Sequence, residues 1–195
     1  MSKDTFTIGE LSFQPLTMNE WGDFERLFNS LPACQMCWCM YWRTSRTRLF
    51  GHADQNKQEM HAVVNSGVVA GLLAYKNGQP VGWCSVAPRE DYPGLDRSPT
   101  LKAIDDQPVW SITCLVVAKA YRRQGMNLPL IQGAVDYAAS HGARIIEAYP
   151  FINPGKKYRM VGEAFMGFAS TFERLGFQPV SDKSKVRNIM RLYLG

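Results

Sequence analysis

The chain has 195 residues and a mass of 22.0 kDa, and this length predicts a single domain over residues 1–195. Hydrophobic residues make up 46% and charged residues 20% of the chain, which excludes a disordered or collagen-like protein. The longest apolar run, Val68 to Tyr75, is too short to cross a bilayer. The first thirty residues contain five acidic side chains and no continuous apolar stretch, a pattern that disfavours a secretory signal peptide. We therefore expect a cytoplasmic protein with no membrane partner.

The net charge of +5 is unevenly distributed. Residues 1–118 contain ten basic and twelve acidic side chains, whereas residues 119–195 contain twelve basic and five acidic ones. A basic C-terminal part favours an anionic partner such as nucleic acid, acidic lipid or a phosphorylated cofactor, although a solvated basic surface is an equal alternative. All tryptophans lie at or before Trp110, away from the basic part, so nucleic acid is disfavoured as a partner.

Apolar periodicity predicts the elements of the first third of the chain. Leu11 to Leu16 is expected to form a short strand, and Asn19 to Asn29 has the spacing of a helix. The Cys/Trp/Tyr-rich stretch from Pro32 to Arg48 is interpreted as a loop with helical turns. A second helix is predicted over Lys57 to Asn65.

Strand signals dominate the middle of the chain. Val69–Tyr75 and Pro80–Val86 are joined by Asn77-Gly78, which predicts a β-hairpin. Residues 88–108 are rich in Pro, Asp and Arg and are interpreted as a surface loop. Trp110 to Val117 is dense in β-branched residues, as is typical of a central strand.

The remaining elements indicate a crossover connection. A turn over Ala118–Met126 leads into a helix from Asn127 to His141, and Arg144 to Tyr149 returns as a strand. Such a unit requires a parallel strand pair. The last predicted elements are a helix and two strands, Gly167–Leu175, Gln178–Ser181 and Asn188–Tyr193. The fold class is therefore α/β with a mixed central sheet.

Three of the five cysteines are clustered, at Cys34, Cys37 and Cys39. A zinc site needs about four ligands, and no second cysteine pair at matching spacing is present. We expect structural or pocket-lining thiols rather than a metal site or redox chemistry, and no metal cofactor.

The most informative segment is Tyr121–Asn127, between a predicted central strand and a helix. The N-terminus of a helix binds anions, Gly125 allows close approach of the backbone, and Arg122 and Arg123 add charged donors. A pyrophosphate is the natural ligand. A Walker loop is excluded because no Gly-Lys-Ser/Thr follows, and a single glycine disfavours a Rossmann loop. A basic surface turn is the alternative.

This segment resembles motif A of the GNAT superfamily of N-acetyltransferases, Gln/Arg-x-x-Gly-x-Gly/Ala. Arg122 and Gly125 match the first two anchors, whereas Asn127 replaces the usual small residue. The predicted order β-α-α-β-β-β-α-β-α-β-β over residues 11–193 is similar to the family's order. Phe172–Phe177 also resembles the family's Tyr-Glu-Lys-Leu-Gly-Phe ending of the last helix.

The resemblance implies that acetyl-CoA is the acyl donor and lies between a splayed pair of parallel strands. By this likeness the backbone of the central strand pairs with the pantetheine arm, one amide there polarises the thioester carbonyl, and the turn holds the pyrophosphate. The implied cofactor residues are Leu115, Val116, Val117, Arg122, Arg123, Gln124, Gly125, Met126, Asn127 and Phe172. Lys156, Lys157 and Arg159 are expected to reach the nucleotide phosphates or to lie in a solvated loop.

The usual catalytic groups of the family are missing from their places. Phe172 stands where many members have a proton-donating tyrosine, and the central strand begins Trp-Ser-Ile-Thr, without a carboxylate. Ser170, Glu147 and Tyr149 are the alternative catalytic residues, each with a structural role as its own alternative. Proton transfer to water, with the thiolate leaving unassisted, is a further possibility.

The acceptor pocket implied by the resemblance lies near the segment that joins the first helices. Trp38, Tyr41, Trp42 and Trp83 are the predicted substrate-binding residues, because aromatic rings suit an apolar or cationic acceptor; an ordinary core role is the alternative. The expected function is an acetyl-CoA-dependent N-acetyltransferase that acts on an unidentified amine by direct attack in a ternary complex. A non-catalytic acyl-CoA-binding or sensing domain is the alternative, and a homodimer is left open.

Overall fold

The computed structural model describes residues 5–44, 52–152, 164–181 and 183–195. These residues form one eight-stranded sheet and five α-helices. The strands are β1 (Phe6–Ile8), β2 (Leu11–Pro15), β3 (Leu72–Lys76), β4 (Gln79–Pro88), β5 (Trp110–Val117), β6 (Ile145–Ala148), β7 (Gln178–Pro179) and β8 (Met190–Tyr193). The helices are α1 (Trp21–Asn29), α2 (Pro32–Cys37), α3 (Ala53–Asn65), α4 (Asn127–Ser140) and α5 (Ala169–Glu173).

The sheet is mixed, with the strand order β1-β2-β3-β4-β5-β6-β8-β7. Only β5 and β6 run parallel among the described strand pairs, and α4 connects them, as the sequence predicted. The α/β class is confirmed. Two elements were not predicted: β1, which continues the sheet beyond β2 through a turn at Gly9, and α2, which begins with Pro32 in a stretch interpreted as a loop.

Helix α4 covers one face of the sheet because its apolar residues recur every three or four positions. Leu130, Ile131, Ala134 and Ala138 are buried there. Gly133 is required by close packing, since a Cβ atom at this position would lie 2.7 Å from Cε1 of Phe13 on β2. The helix is thereby fixed close to the sheet.

Helices α1 to α3 pack on the opposite face. Phe24, Leu27 and Phe28 form the buried stripe of α1, and the rings of Phe24 and Trp83 meet edge to face at 4.8 Å. The core is therefore divided by the sheet into two layers. No helix in the described ranges combines the length and the apolar character that crossing a membrane demands.

Residues 88–108 are not simply a surface loop. Tyr92, Leu95 and Leu101 are buried and form a third, smaller core with Tyr149. Short 3₁₀ turns connect them, so the buried residues follow neither the helical nor the strand period. This irregular spacing is why the sequence pattern missed them.

Strand β5 contains a β-bulge. Its register against β4 shifts between Cys114, which lies opposite Ser85, and Ile112, which lies opposite Val86. Thr113 is the additional residue. Ile112 and Leu115 both pack on the α4 side, while Cys114 packs on the other side with the α1–α3 layer. The bulge therefore changes the alternation of side chains in the middle of the central strand.

Candidate functional site

The two parallel strands separate after a short stretch of pairing. Strand β6 pairs with β5 only from Trp110 to Ile112 and ends at Ala148. Beyond Pro150 the chain turns away, and the Phe151 amide donates to the carbonyl of Gly167 at 3.0 Å. The last five residues of β5, 113–117, therefore have no strand partner on that side among the described residues. This is the splayed pair that the family resemblance implied.

The phase of hydrogen bonding determines which backbone groups face this open side. The Ala118 amide donates to the carbonyl of Val81 at 2.9 Å, so the backbone N–H and C=O groups of Ala118 and Val116 point towards β4. Successive residues of an antiparallel strand direct their backbone N–H and C=O groups to opposite sides. The backbone groups of Leu115 and Val117 therefore point to the open side. The Val117 carbonyl accepts a hydrogen bond from Nε of Arg122 at 3.1 Å.

The turn before α4 forms a concave set of amides. Arg123 and Gly125 have positive φ values of 61° and 75°, and they alternate with Gln124 and Met126, which do not. Alternating conformations of this kind direct successive N–H groups into one anion-binding concavity. No described residue accepts from the amides of residues 123–127, and no side chain caps α4. The turn therefore has free donors for an anion, and the start of α4 adds a partial positive charge.

A cavity of about 430 Å³ lies between the open edge of β5, this turn and α5. It falls within the usual size range of cofactor sites. Its apolar and neutral walls are Leu115, Val117, Tyr121, Gly125, Met126, Asn127, Leu128, Phe165, Phe168 and Thr171. Its charged groups are Arg122, Arg123 and Arg174, with no carboxylate among the described lining residues. We call this cavity the β5–α4 cleft; its charge suits an anionic ligand.

Most of the predicted cofactor residues meet in the β5–α4 cleft: Leu115, Val117, Arg122, Arg123, Gly125, Met126 and Asn127. Gln124 belongs to the same turn, but its side chain is exposed and donates to the Ala120 carbonyl at 2.9 Å. Val116 and Phe172 do not line the cleft, because both are buried in the core. Lys156, Lys157 and Arg159 lie outside the described residues.

Sequence reasoning missed several cleft residues, including Thr171 on α5 and Arg174, which directly follows α5 in helical conformation. These positions are three residues apart and therefore share one face of the helix. Ser170, the predicted catalytic hydroxyl of this helix, is exposed and does not line the cleft, whereas Thr171 is half-buried in it. Thr171 adjoins Phe172, and adjacent residues of a helix do not share a face, so the helical period gave no signal for Thr171.

Glu147 and Tyr149 lie together in a buried polar cluster and do not line the β5–α4 cleft. One carboxylate oxygen of Glu147 accepts from Nε of Arg191 at 2.8 Å, and the other accepts from the Tyr149 hydroxyl at 2.8 Å. The Ser111 hydroxyl lies 2.7 Å from that of Tyr149. Burial, followed by the charge of Glu147, raises the pKa of Tyr149. Both carboxylate oxygens are occupied, which disfavours proton abstraction from an amine.

The four predicted substrate-binding aromatics fall into two groups. Trp38 and Trp83 are 3% and 0% exposed and belong to the core on the α1–α3 side. Tyr41 and Trp42 are half-buried, their rings meet at 4.7 Å, and the Gly94 amide donates to the Trp42 carbonyl at 2.8 Å. None of the four lines the β5–α4 cleft.

The comparison with solved structures supports the same fold. An uncharacterized protein from Bacillus halodurans is 17% identical, with 97% of this chain and 90% of that chain covered and a TM-score of 0.58. An agmatine N-acetyltransferase is 10% identical, with 95% and 100% covered and a TM-score of 0.60. PaiA N-acetyltransferase from Thermoplasma acidophilum, in complex with coenzyme A, is 12% identical, with 95% and 100% covered and a TM-score of 0.53. No match was found among curated protein sequences.

The sequence itself also matches a protein family. The acetyltransferase (GNAT) family matches residues 31–155, which include the open strand, the turn and α4. This family supports acyl-CoA-dependent acetyl transfer as the general chemistry. No group of three metal-ligating side chains occurs in the part of the chain that the structure describes. The chain belongs to the GNAT acetyltransferase family.

Proposed function

We propose that this protein is an N-acetyltransferase that transfers the acetyl group of acetyl-CoA to the amine of a small molecule or of a side chain. The observation that carries the proposal is the β5–α4 cleft, where free amides and three arginines adjoin an open strand edge. Acetyl-CoA has matching parts, since its pyrophosphate is anionic and its pantetheine arm is an extended chain with amide groups.

In the proposed complex the pyrophosphate binds the turn before α4. The amides of residues 123–127 donate to its oxygens, and Arg122, Arg123 and Arg174 supply charged hydrogen bonds. The pantetheine arm pairs with the outward-facing backbone of Leu115 and Val117, as an added strand does. Val116 supports this edge through its bonds to β4 rather than by direct contact.

Direct attack in a ternary complex requires a neutral amine and a stabilised carbonyl oxygen. The Leu115 amide faces the open side and is the proposed donor to that oxygen, a role that is worth ~3 kcal/mol in other enzymes. The new C–N bond forms as the C–S bond breaks, and the amine proton passes to solvent. Thr171 is the proposed hydroxyl donor to the leaving sulfur, because it is half-buried in the cleft.

The three residues that were predicted from the sequence to be catalytic have other roles in this proposal. We propose that Glu147 and Tyr149 hold β5 and β6 in place, and that Ser170 contributes little. Ser170→Ala should then retain turnover, whereas Thr171→Val should lower kcat with little change in acetyl-CoA affinity. A large loss of kcat in Ser170→Ala, without loss of folding, would reverse this assignment.

Titration calorimetry with acetyl-CoA, compared with free CoA, tests the cofactor. Micromolar affinity is expected, and it should be lost when Arg122→Ala is combined with Gly125→Glu, because the side chain at 125 brings a negative charge into the amide concavity. Unchanged affinity in this double variant would contradict the assigned site. A panel of amines, with turnover monitored by the release of free CoA, then identifies the acceptor.

A non-catalytic acyl-CoA-binding domain is the second candidate function. It is favoured by the absence of carboxylate and imidazole groups among the described cleft residues and by the burial of Phe172. Acetyl-CoA binding without turnover across the amine panel would support this candidate. Turnover with any amine at a rate above the uncatalysed reaction would exclude it.

A further inference from the structure

A closed ring of hydrogen bonds lies on the α1–α3 side of the sheet, where Ser85 is two residues after the core residue Trp83 on β4. Nη2 of Arg43 donates to the Ala70 carbonyl at 2.9 Å and to the Tyr92 hydroxyl at 3.1 Å. The Ser85 hydroxyl donates to the same carbonyl at 3.3 Å and lies 3.0 Å from the Tyr92 hydroxyl. We call Arg43, Ala70, Ser85 and Tyr92 the polar ring.

One arrangement of protons satisfies the whole polar ring. A guanidinium group can only donate, so the Tyr92 oxygen accepts from Arg43. The Ser85 hydroxyl gives its proton to the Ala70 carbonyl and therefore accepts the proton of Tyr92. Burial raises the pKa of Tyr92 to about 12, so its hydroxyl keeps that proton at neutral pH. Each hydroxyl of the ring thus has a defined direction.

The polar ring is shielded from solvent. Ser85 and Tyr92 are buried, and the side chain of Arg43 is only 4% exposed. The guanidinium group also lies 4.6 Å from the centre of the Tyr92 aromatic ring, and Asp91 balances its charge at 3.4 Å. Buried hydrogen bonds strengthen one another, and the loss of one partner leaves the others unsatisfied. The four residues therefore behave as one rigid unit.

The polar ring holds β4 at the point where β5 bulges. Ser85 is the register partner of Cys114, the residue after the bulge, and the next residue, Leu115, pairs with Cys84. A bulge interrupts the ladder of hydrogen bonds, and no described strand pairs with the other side of β5 from residue 113 onwards. The position of Leu115 therefore depends on how firmly β4 is held at residues 84–85.

Close packing at Gly71 adds to this restraint. Gly71 follows Ala70 of the polar ring, and a Cβ atom at this position would lie 2.3 Å from the Cys84 carbonyl oxygen and 2.9 Å from Cα of Ser85. The chain just before β3 therefore packs directly on the backbone of β4, at the two residues opposite the bulged part of β5. Hydrogen bonds and packing thus fix the same short piece of β4.

We propose that Tyr92 is a positioning residue for acetyl transfer, which acts through Ser85 and β4 to hold the Leu115 amide at the acetyl carbonyl. The inference rests on the proposed function, in which that amide polarises the thioester. Tyr92 itself does not line the β5–α4 cleft, so it acts on the geometry of the cleft rather than by contact with acetyl-CoA. Its effect is large because a displacement of about 1 Å can cost a hundredfold in rate.

The test is carbon NMR of acetyl-CoA that is ¹³C-labelled at the acetyl carbonyl and bound to the full chain. In wild type, the hydrogen bond from the Leu115 amide should move the carbonyl resonance downfield from that of free acetyl-CoA. Tyr92→Phe should lose most of this shift and keep nearly the same acetyl-CoA affinity, because the pyrophosphate contacts remain. Tyr75→Phe is the matched control, since Tyr75 is also buried but lies on β3, away from the bulge of β5, and it should behave as wild type.

Ser85→Ala is a second, smaller change that keeps the proposal testable if Tyr92→Phe does not fold, and it should lose the carbonyl shift to the same extent. With an amine that wild type acetylates, both variants should lower kcat about tenfold or more, with little change in the KM for acetyl-CoA.

A carbonyl shift that is absent in the wild-type complex, that persists in the folded variants, or that falls equally in Tyr75→Phe would overturn the proposal. Failure of wild type to bind acetyl-CoA would instead overturn the proposed function, and this inference with it.

Discussion

Arg191 donates from Nε to a carboxylate oxygen of Glu147 at 2.8 Å, and the two side chains are 2% and 1% exposed. Arg191 also binds Asp105 through both of its terminal nitrogens, at 2.6 and 2.8 Å. The pair joins β6 to β8 at the level where β5 and β6 still pair. It therefore stabilises the closed end of the splayed strands.

Glu147→Ala is expected to destabilise the protein by ~3–5 kcal/mol, because removal of one partner leaves a buried charge without compensation. Urea unfolding measures this change. Glu173→Ala, at an exposed position of α5, is the control and should change stability by less than ~0.5 kcal/mol. If Glu147→Ala kept full stability and lost turnover, Glu147 would be catalytic instead.

Arg174→Ala is expected to weaken acetyl-CoA binding about tenfold, equivalent to about 1.4 kcal/mol, and to reduce its dependence on salt. The reason is that Arg174, directly after α5, lines the cleft and is not used in a described ion pair. Calorimetry at two salt concentrations provides the measurement. Lys119→Ala, an exposed residue near the turn but outside the cleft lining, should leave both values unchanged; equal losses would indicate a general charge effect.

The rate of Cys39 alkylation by iodoacetamide is expected to rise with pH and to reach half its maximum near the pKa of about 7, since only the thiolate reacts. The indole N–H of Trp83 donates to this sulfur at 3.2 Å and favours its charged form. Cys37, whose pKa is about 11, should react only in strongly alkaline solution. Mass spectrometry after timed quenching resolves the two sites. A common midpoint for both would show that the surroundings of Cys39 have no effect.

Trp38→Ala is expected to reduce stability by ~3–5 kcal/mol, as truncation of a large core aromatic does. The ring is almost fully buried and lies 5.8 Å from that of Phe28. Tyr41→Ala, at a half-buried position, should cost less. Thermal unfolding compares the two variants. A stable Trp38→Ala protein with weaker acceptor binding would favour the substrate role that the sequence suggested.

Gly167→Ala is expected to lower both stability and acetyl-CoA affinity. At Gly167 φ is +74°, and a Cβ atom would lie 3.0 Å from the Phe172 ring and 3.1 Å from Leu115 at the cleft edge. Gly142→Ala is the matched control, because its φ is +83° but no atom lies within 4 Å of the added carbon. Both variants carry the left-handed strain of ~1 kcal/mol, so any further loss at Gly167 measures crowding. Equal losses of stability in the two variants would show that the side chains of Phe172 and Leu115 move aside at little cost.

Local signals explain which parts of the fold were predictable. The hairpin at Asn77-Gly78 has positive φ at both residues, as its sequence predicted, and α4 begins at Asn127 as predicted, with Gly142 in the left-handed conformation after it. β1 is three residues long, too short for a periodic pattern. α2 lies where cysteine and tryptophan obscure any apolar stripe.

The candidate site likewise has one part that the sequence could predict and other parts that it could not. The turn at Arg123 and Gly125 is formed by neighbours in sequence, so its motif could be identified from the sequence alone. The surroundings of Glu147 depend on Arg191, which is far away in the chain, and those of Cys39 depend on Trp83. Contacts of this kind arise only when the sheet assembles, and single-sequence periodicity contains no information about them.

The early end of β6 has a consequence for the stability of the whole sheet. It leaves Leu115 and Val117 with one side of the backbone that no described strand pairs with, and an unpaired strand edge is a template for pairing with other chains. In the proposed complex, an extended ligand arm along β5 would take the place of the missing strand. Its binding should therefore protect against aggregation as well as unfolding, with a gain of ~2.7 kcal/mol when the ligand is at a hundred times its dissociation constant.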